Sequence, residues 1–165
     1  MEVTLRFKWQ ELLYDIENYS FVEGDIMNVD DEHIRHHVLD VGQSGNIDRV
    51  KRVLNLAHAE CVEMLFPYTK ENVPEDVNIL DNALTASQTY DIDLNLPDGF
   101  SLTTVKLLKN LIHEYLVSRV LSDWFSITKP SSHANWENKF QYLKSKIQRS
   151  LVSRTGNTKR KCKPF

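Results

Sequence analysis

Residues 102–128 read LTTVKLLKNLIHEYLVSRVLSDWFSIT, with no glycine and no proline. At ~3.6 residues per turn this stretch makes about seven turns of helix. Advancing by about 100° per residue places Leu107, Leu108, Leu111, Ile112 and Tyr115 on one side. Lys106, Lys109, Asn110 and His113 take the other. Beyond Tyr115 the pattern swings by roughly half a turn. Leu116, Val117, Val120, Leu121, Trp124 and Phe125 fall on the formerly polar side, and Ser118, Ser122 and Asp123 replace the leucines. An amphipathic helix buries its apolar stripe against something. This rod therefore needs cover on opposite sides at its two ends. Either one copy wraps both sides, or a neighbouring copy supplies one cover. On the second alternative Val117, Val120, Leu121, Trp124 and Phe125 form a subunit interface.

The flanking chain supplies helices and a little strand. Residues 3–8 alternate apolar and polar, as a half-buried strand does. Residues 9–19 predict a helix with Leu12, Leu13 and Ile16 inward, and residues 21–25 predict a turn around Gly24. Asp30, Asp31 and Glu32 offer a cap and negative first-turn charge to a helix running to about Val41, with Ile34 and Val38 inward. Asn46 is placed to cap a helix over residues 47–66 whose stripe is Ile47, Val50, Leu54, Ala57, Cys61, Met64 and Leu65. Pro67 ends that helix. Residues 68–84 read as polar, acidic and irregular. Residues 89–96 alternate strictly, putting Tyr90, Ile92, Leu94 and Leu96 on one face of a strand that needs a partner, either the N-terminal strand or a strand of a neighbouring copy. Pro97-Asp98-Gly99 predicts a turn, and Ser101 or Thr103 a cap for the long helix. After the break at Lys129-Pro130, residues 133–154 predict a helix with Trp136, Phe140, Leu143, Ile147 and Leu151 on one stripe. A connection that short implies an antiparallel hairpin on the long helix. The fold class expected is mainly α (α+β): a helical bundle or hairpin core with a small β element. Residues 1–154 form one domain and 155–165 a flexible basic arm.

A chain of 165 residues carries a true core in a single domain. The net charge of −3 conceals a split. Residues 1–128 hold 10 Lys/Arg against 22 Asp/Glu, a net −12, and residues 129–165 hold 10 against 1, a net +9. An acidic body with a basic end points to an acidic surface as its counterpart: nucleic acid, or the body of another copy. The candidate contacts are Arg154, Lys159, Arg160, Lys161 and Lys163, with the terminal aromatic Phe165 suited to a groove. The same basic residues also suit phosphates, which position a duplex without reading its sequence. No apolar run approaches the ~20 residues of a membrane span. Residues 1–10 lack the apolar core of a signal peptide. Cys61 and Cys162 lie far apart, and Cys61 falls on an apolar helix face, which favours a buried thiol made in a reducing cytoplasm.

Motifs for chemistry are sparse. His33 and His37 are i,i+4 neighbours, a spacing that grips zinc, but no third or fourth ligand is spaced to complete the set. Asp91 with Asp93, and Asp30 with Asp31, are carboxylate pairs able to hold Mg²⁺, although an exposed strand face and a helix cap explain them as well. There is no G-x-S-x-G, H-E-x-x-H, G-x-G-x-x-G or phosphate-cradling glycine loop. The expectation is a non-enzymatic protein without a cofactor.

Three spacing patterns stand out. A helix through Leu56-Ala57-His58-Ala59-Glu60-Cys61 ends at Leu65-Phe66-Pro67-Tyr68, ahead of an acidic insert. A long helix carries LLKNLIHEYLVSRVLSDW over residues 107–124. A break at Lys129-Pro130 precedes a last helix with an aromatic start at Trp136. In these features residues 46–154 resemble the small helical head–tail connector (adaptor) proteins of tailed phages and prophages. The resemblance does not extend to residues 1–41, and the strand at residues 90–96 is longer than such proteins lead one to expect. It implies a non-enzymatic subunit of a homo-oligomeric ring in the virion, made in the bacterial host cytoplasm. Its partners would be the portal and the tail or stopper proteins, and DNA would pass the lumen without sequence-specific contact. The alternative is a nucleic-acid-binding accessory protein that uses the basic arm.

Overall fold

A computed structural model describes residues 1–27, 32–71, 80–84 and 87–152. The chain is mainly α with a small antiparallel sheet, and the sheet shows why alternation was informative. β1 (Glu2–Lys8) pairs antiparallel with β2 (Thr89–Asn95), Leu5 opposite Ile92 and Arg6 opposite Asp91. Period-2 geometry sends Leu5, Phe7, Tyr90, Ile92 and Leu94 into the core and Thr4, Arg6, Asp91 and Asp93 outward. The predicted partner of the second strand is thus the first.

α1 (Trp9–Asp25) follows β1 directly and buries Leu12 and Ile16. The turn expected at residues 21–25 is the last turn of this helix. Gly24 ends no helix there; it lets α1 lie against α2 (Glu32–Leu39), where an added Cβ would stand 2.9 Å from a Leu39 methyl. Within α2 Val38 is buried, but Ile34, expected inward, is 43% exposed. A 3-10 turn, Asp40–Gly42, leads on. α3 (Ile47–Met64) buries Val50, Leu54, Ala57 and Cys61 of the predicted stripe, while Ile47 and Met64 are half-buried and Leu65 is buried just past its end. Pro67 does not simply end the chain's helical course: it sits inside a further short turn, α4 (Phe66–Thr69). Pro lacks only a donor that a first turn leaves unused. Asn46 does stand at the N-terminus of α3, yet its side chain makes no cap bond. The amide donates to the Asp40 carbonyl instead, at 2.8 Å.

The centre is α5 (Leu102–Thr128), entered through a turn in which Gly99 takes φ 83°. Lys129 reverses the chain into α6 (Pro130–Val152), which begins three residues earlier than its pattern suggested. Trp136, Phe140, Leu143, Ile147 and Leu151 all pack onto the core, as an antiparallel hairpin requires. On α5 the two-sided apolar pattern is real. Leu108, Ile112 and Tyr115 are buried, then Leu116 to Ser118, Val120 to Ser122, Trp124 and Phe125. Leu107 departs from it, half exposed at the rim. Ser118 and Ser122 were expected outward but are buried too, because α5 is enclosed nearly all round along its second half. Asp30, Asp31 and the arm at residues 155–165 lie outside the described residues.

Candidate interaction surfaces

The five residues predicted as a subunit interface are covered by the chain itself. Val117, Val120, Leu121 and Phe125 are essentially inaccessible and Trp124 is 7% exposed. The cover comes from both sides. Trp124 donates its indole N–H to the Val38 carbonyl of α2 at 3.2 Å. Phe125 packs on Trp136 of α6, ring centroids 5.9 Å apart. This corrects the interface expectation for these five residues: α2 and α6 flank α5 and enclose them, while Ile127 near its end stays exposed. Trp124 alone of the five also lines a groove of about 680 Å³, together with Ile34, His37, Asp40, Arg49, Ile127 and Pro130. Arg49 there is held to Asp123 at 2.9 Å.

Sequence reasoning missed the polar node that locks the hairpin. Glu23, placed in a supposed turn, points from α1 into the junction of α5 and α6. Its carboxylate accepts from the Lys129 ammonium at 2.7 Å, the Ser132 hydroxyl at 3.1 Å and the Trp136 indole at 3.1 Å. Burial pushes the Glu23 carboxyl upward, but those donors outweigh it and hold the group below the usual carboxylate range. Nearby, Lys139 lies over the rings of Tyr19 and Trp136 at 4.6 and 4.8 Å and reaches Glu114 at 3.2 Å. The only sequence signal for this node was Trp136 itself, a buried indole that needs an acceptor.

A second node joins α3 to α5. The Tyr115 hydroxyl donates to Glu60 at 2.5 Å and Arg119 stands 3.6 Å from the same carboxylate. Burial, then the Glu60 carboxylate, push the Tyr115 phenol far above its ordinary range. Burial likewise raises the Cys61 thiol, so it rests as a neutral core group. His58 donates from Nε2 to the Asp91 carbonyl at 2.9 Å and meets Tyr90 edge-on.

The metal candidates resolve differently. His33, His36 and His37 are exposed on α2. Among the described residues no group of three or more His, Cys, Asp or Glu is close enough to hold a metal ion. Asp91 and Asp93 share an exposed strand face, but each has a partner across the sheet. Arg6 clamps Asp91 with bonds of 2.8 to 3.1 Å, and the Thr4 hydroxyl donates to Asp93 at 2.6 Å. The Arg6 bond holds the Asp91 carboxyl below its usual range.

Arg154, Lys159, Arg160, Lys161, Lys163 and Phe165 lie outside the described residues. The described part of the basic region is α6, where Lys146 and Arg149 are exposed beside Tyr142. Among the described residues no helix is long and apolar enough to cross a membrane. Compared with known protein families, curated proteins and solved structures, the chain matches none of them.

Proposed function

We propose that this chain is a structural assembly subunit of a phage or prophage virion, a head–tail connector ring protein that joins portal to tail. The supporting observation is the order and packing of three helices. α3 runs to Pro67, an acidic segment follows, and α5 then turns at Lys129 into α6 with Trp136 near its start. That order carries the resemblance, and in the fold α3 and α6 both pack on α5. A closed ring needs two different complementary patches on each copy. The −12 and +9 portions of the sequence offer patches of opposite sign. With Val117, Val120, Leu121, Trp124 and Phe125 already covered, such contacts lie on the outer surfaces of the bundle. The test is light scattering and electron microscopy of the full chain, alone and mixed with its cognate portal protein. Co-elution as a ring-shaped particle is expected. A chain that stays monomeric and elutes apart from the portal overturns the proposal.

The charge of residues 129–165 favours one second reading, a nucleic-acid-binding accessory protein. It requires binding to random duplex DNA that weakens steeply with salt and is lost on deleting residues 155–165.

A further inference from the structure

β1 and β2 bond to each other through alternate residues. The Leu96 amide donates to the Met1 carbonyl and the Trp9 amide to the Gln88 carbonyl, both at 2.9 Å. The register puts Val3–Leu94, Leu5–Ile92 and Phe7–Tyr90 in phase with those two pairs. The intervening residues of an antiparallel pair turn their amides and carbonyls away from the partner strand. On β2, two of these outward carbonyls are taken: Asp91 by His58, Thr89 by the Ser87 hydroxyl. On β1 the outward residues are Glu2, Thr4, Arg6 and Lys8. The Lys8 carbonyl serves as the N-cap acceptor of α1, while among the described residues no loop or side-chain atom bonds to the outward amides or carbonyls of Glu2, Thr4 and Arg6. No proline and no bulge interrupts the strand. Natural edges are commonly blunted by such devices, and an edge left open is a template for another strand.

We propose that this edge receives a second copy of the chain. β1 pairs with the partner's β1, antiparallel about a two-fold axis at Leu5, and two small sheets become one of four strands. The register follows from phase and charge. Outward residues must face outward residues, which an axis at Thr4, Leu5 or Arg6 satisfies. An axis at Arg6 sets two guanidinium groups against each other. An axis at Thr4 shortens the pairing to residues 2–6. An axis at Leu5 uses the whole of β1 and puts Glu2 opposite the partner's Lys8 at both ends, with Thr4 opposite the partner's Arg6 between. On the inner face Val3 meets the partner's Phe7 and Leu5 meets its own copy. A groove of about 400 Å³ runs beside the edge, lined by Arg6, Phe7, Lys8, Glu11, Lys109 and His113. Its lysines add positive charge at the end where the partner's Glu2 arrives. The contact is isologous and independent of the ring reading.

The experiment is sedimentation equilibrium of the full chain over a wide concentration range, with circular dichroism as a check on folding. The expected species is a dimer of twice the chain mass. Glu2→Lys places like charges at both ends and weakens the dimer by about tenfold, since each cross-strand pair contributes up to ~1 kcal/mol. The double variant Glu2→Lys/Lys8→Glu restores it. Thr4→Pro removes an amide that β2 does not use and abolishes the dimer while the helical spectrum persists. A wild-type chain that stays monomeric throughout overturns the proposal, as does a dimer indifferent to Glu2→Lys. If Thr4→Pro fails to fold, the charge swap alone decides: no recovery in the double variant rejects the register. Loss of portal binding with the dimer intact would sink only the ring reading.

Discussion

Glu23 and Trp136 are 113 positions apart, and the carboxylate of one accepts the indole N–H of the other at 3.1 Å. The same carboxylate holds Lys129, which is only 15% exposed. Removing Glu23 leaves a buried ammonium and a buried indole without their acceptor. Glu23→Ala is expected to cost about 2 kcal/mol or more, read as a lower urea midpoint. The carboxyl sits below its unfolded value of 4.5. Its contribution is therefore complete above that pH and disappears as pH falls through the lower folded value. The gap between wild type and Glu23→Gln should close as the pH falls from 4.5 through the lower folded value. A constant gap across that window refutes the assignment.

Leu121 tests which copy covers α5. Because its own chain encloses it, Leu121→Ala should destabilise the monomer by ~2–5 kcal/mol and leave the association state unchanged. Loss of oligomer at unchanged monomer stability would return this residue to an interface.

Cys61 should resist alkylation until the protein unfolds, since burial raises its thiol and hides it. Mass spectrometry of a Cys162→Ser variant after maleimide treatment isolates the signal. Rapid native-state labelling would contradict the packing of α3.

Tyr90 gives an alkaline limit. Burial pushes its phenol up from 10.0 to about 12. Raised folded values mean stability is full below pH 10 and erodes as pH climbs towards 12, because the unfolded chain ionises first. Tyr90→Phe should flatten that loss in pH-dependent thermal melts. An identical alkaline decline in both proteins would count against it.

Much of the fold was legible because periodicity reports burial. The alternation in residues 3–8 and 89–96 found both strands. The stripe from Val50 to Cys61 found α3, and Trp136 to Leu151 found α6. The second half of α5 is covered on the side the apolar swing at Tyr115 indicated, but Ser118 and Ser122 on the opposite side are enclosed as well. What covers each side was not legible, since a sequence shows that Trp124 needs a cover and not that Val38 of α2 provides it. Gly24 misled for a related reason: glycine serves turns and close helix contacts alike, and only the position of Leu39 distinguishes them. Ile34 misled because a helix as short as α2 touches the core through little more than Val38. The Glu23 node was invisible because its members come from three separate stretches of chain.

The sheet also has a consequence for synthesis. Arg6 waits for Asp91, 85 residues later, before the ladder can close. At roughly 5–20 residues per second the first strand emerges from the ribosome several seconds ahead of its mate β2. Through that interval Leu5 and Phe7 are bare. The nascent chain is most exposed to mispairing between neighbouring ribosomes, and slowing translation ahead of residue 89 should lower the yield of folded protein.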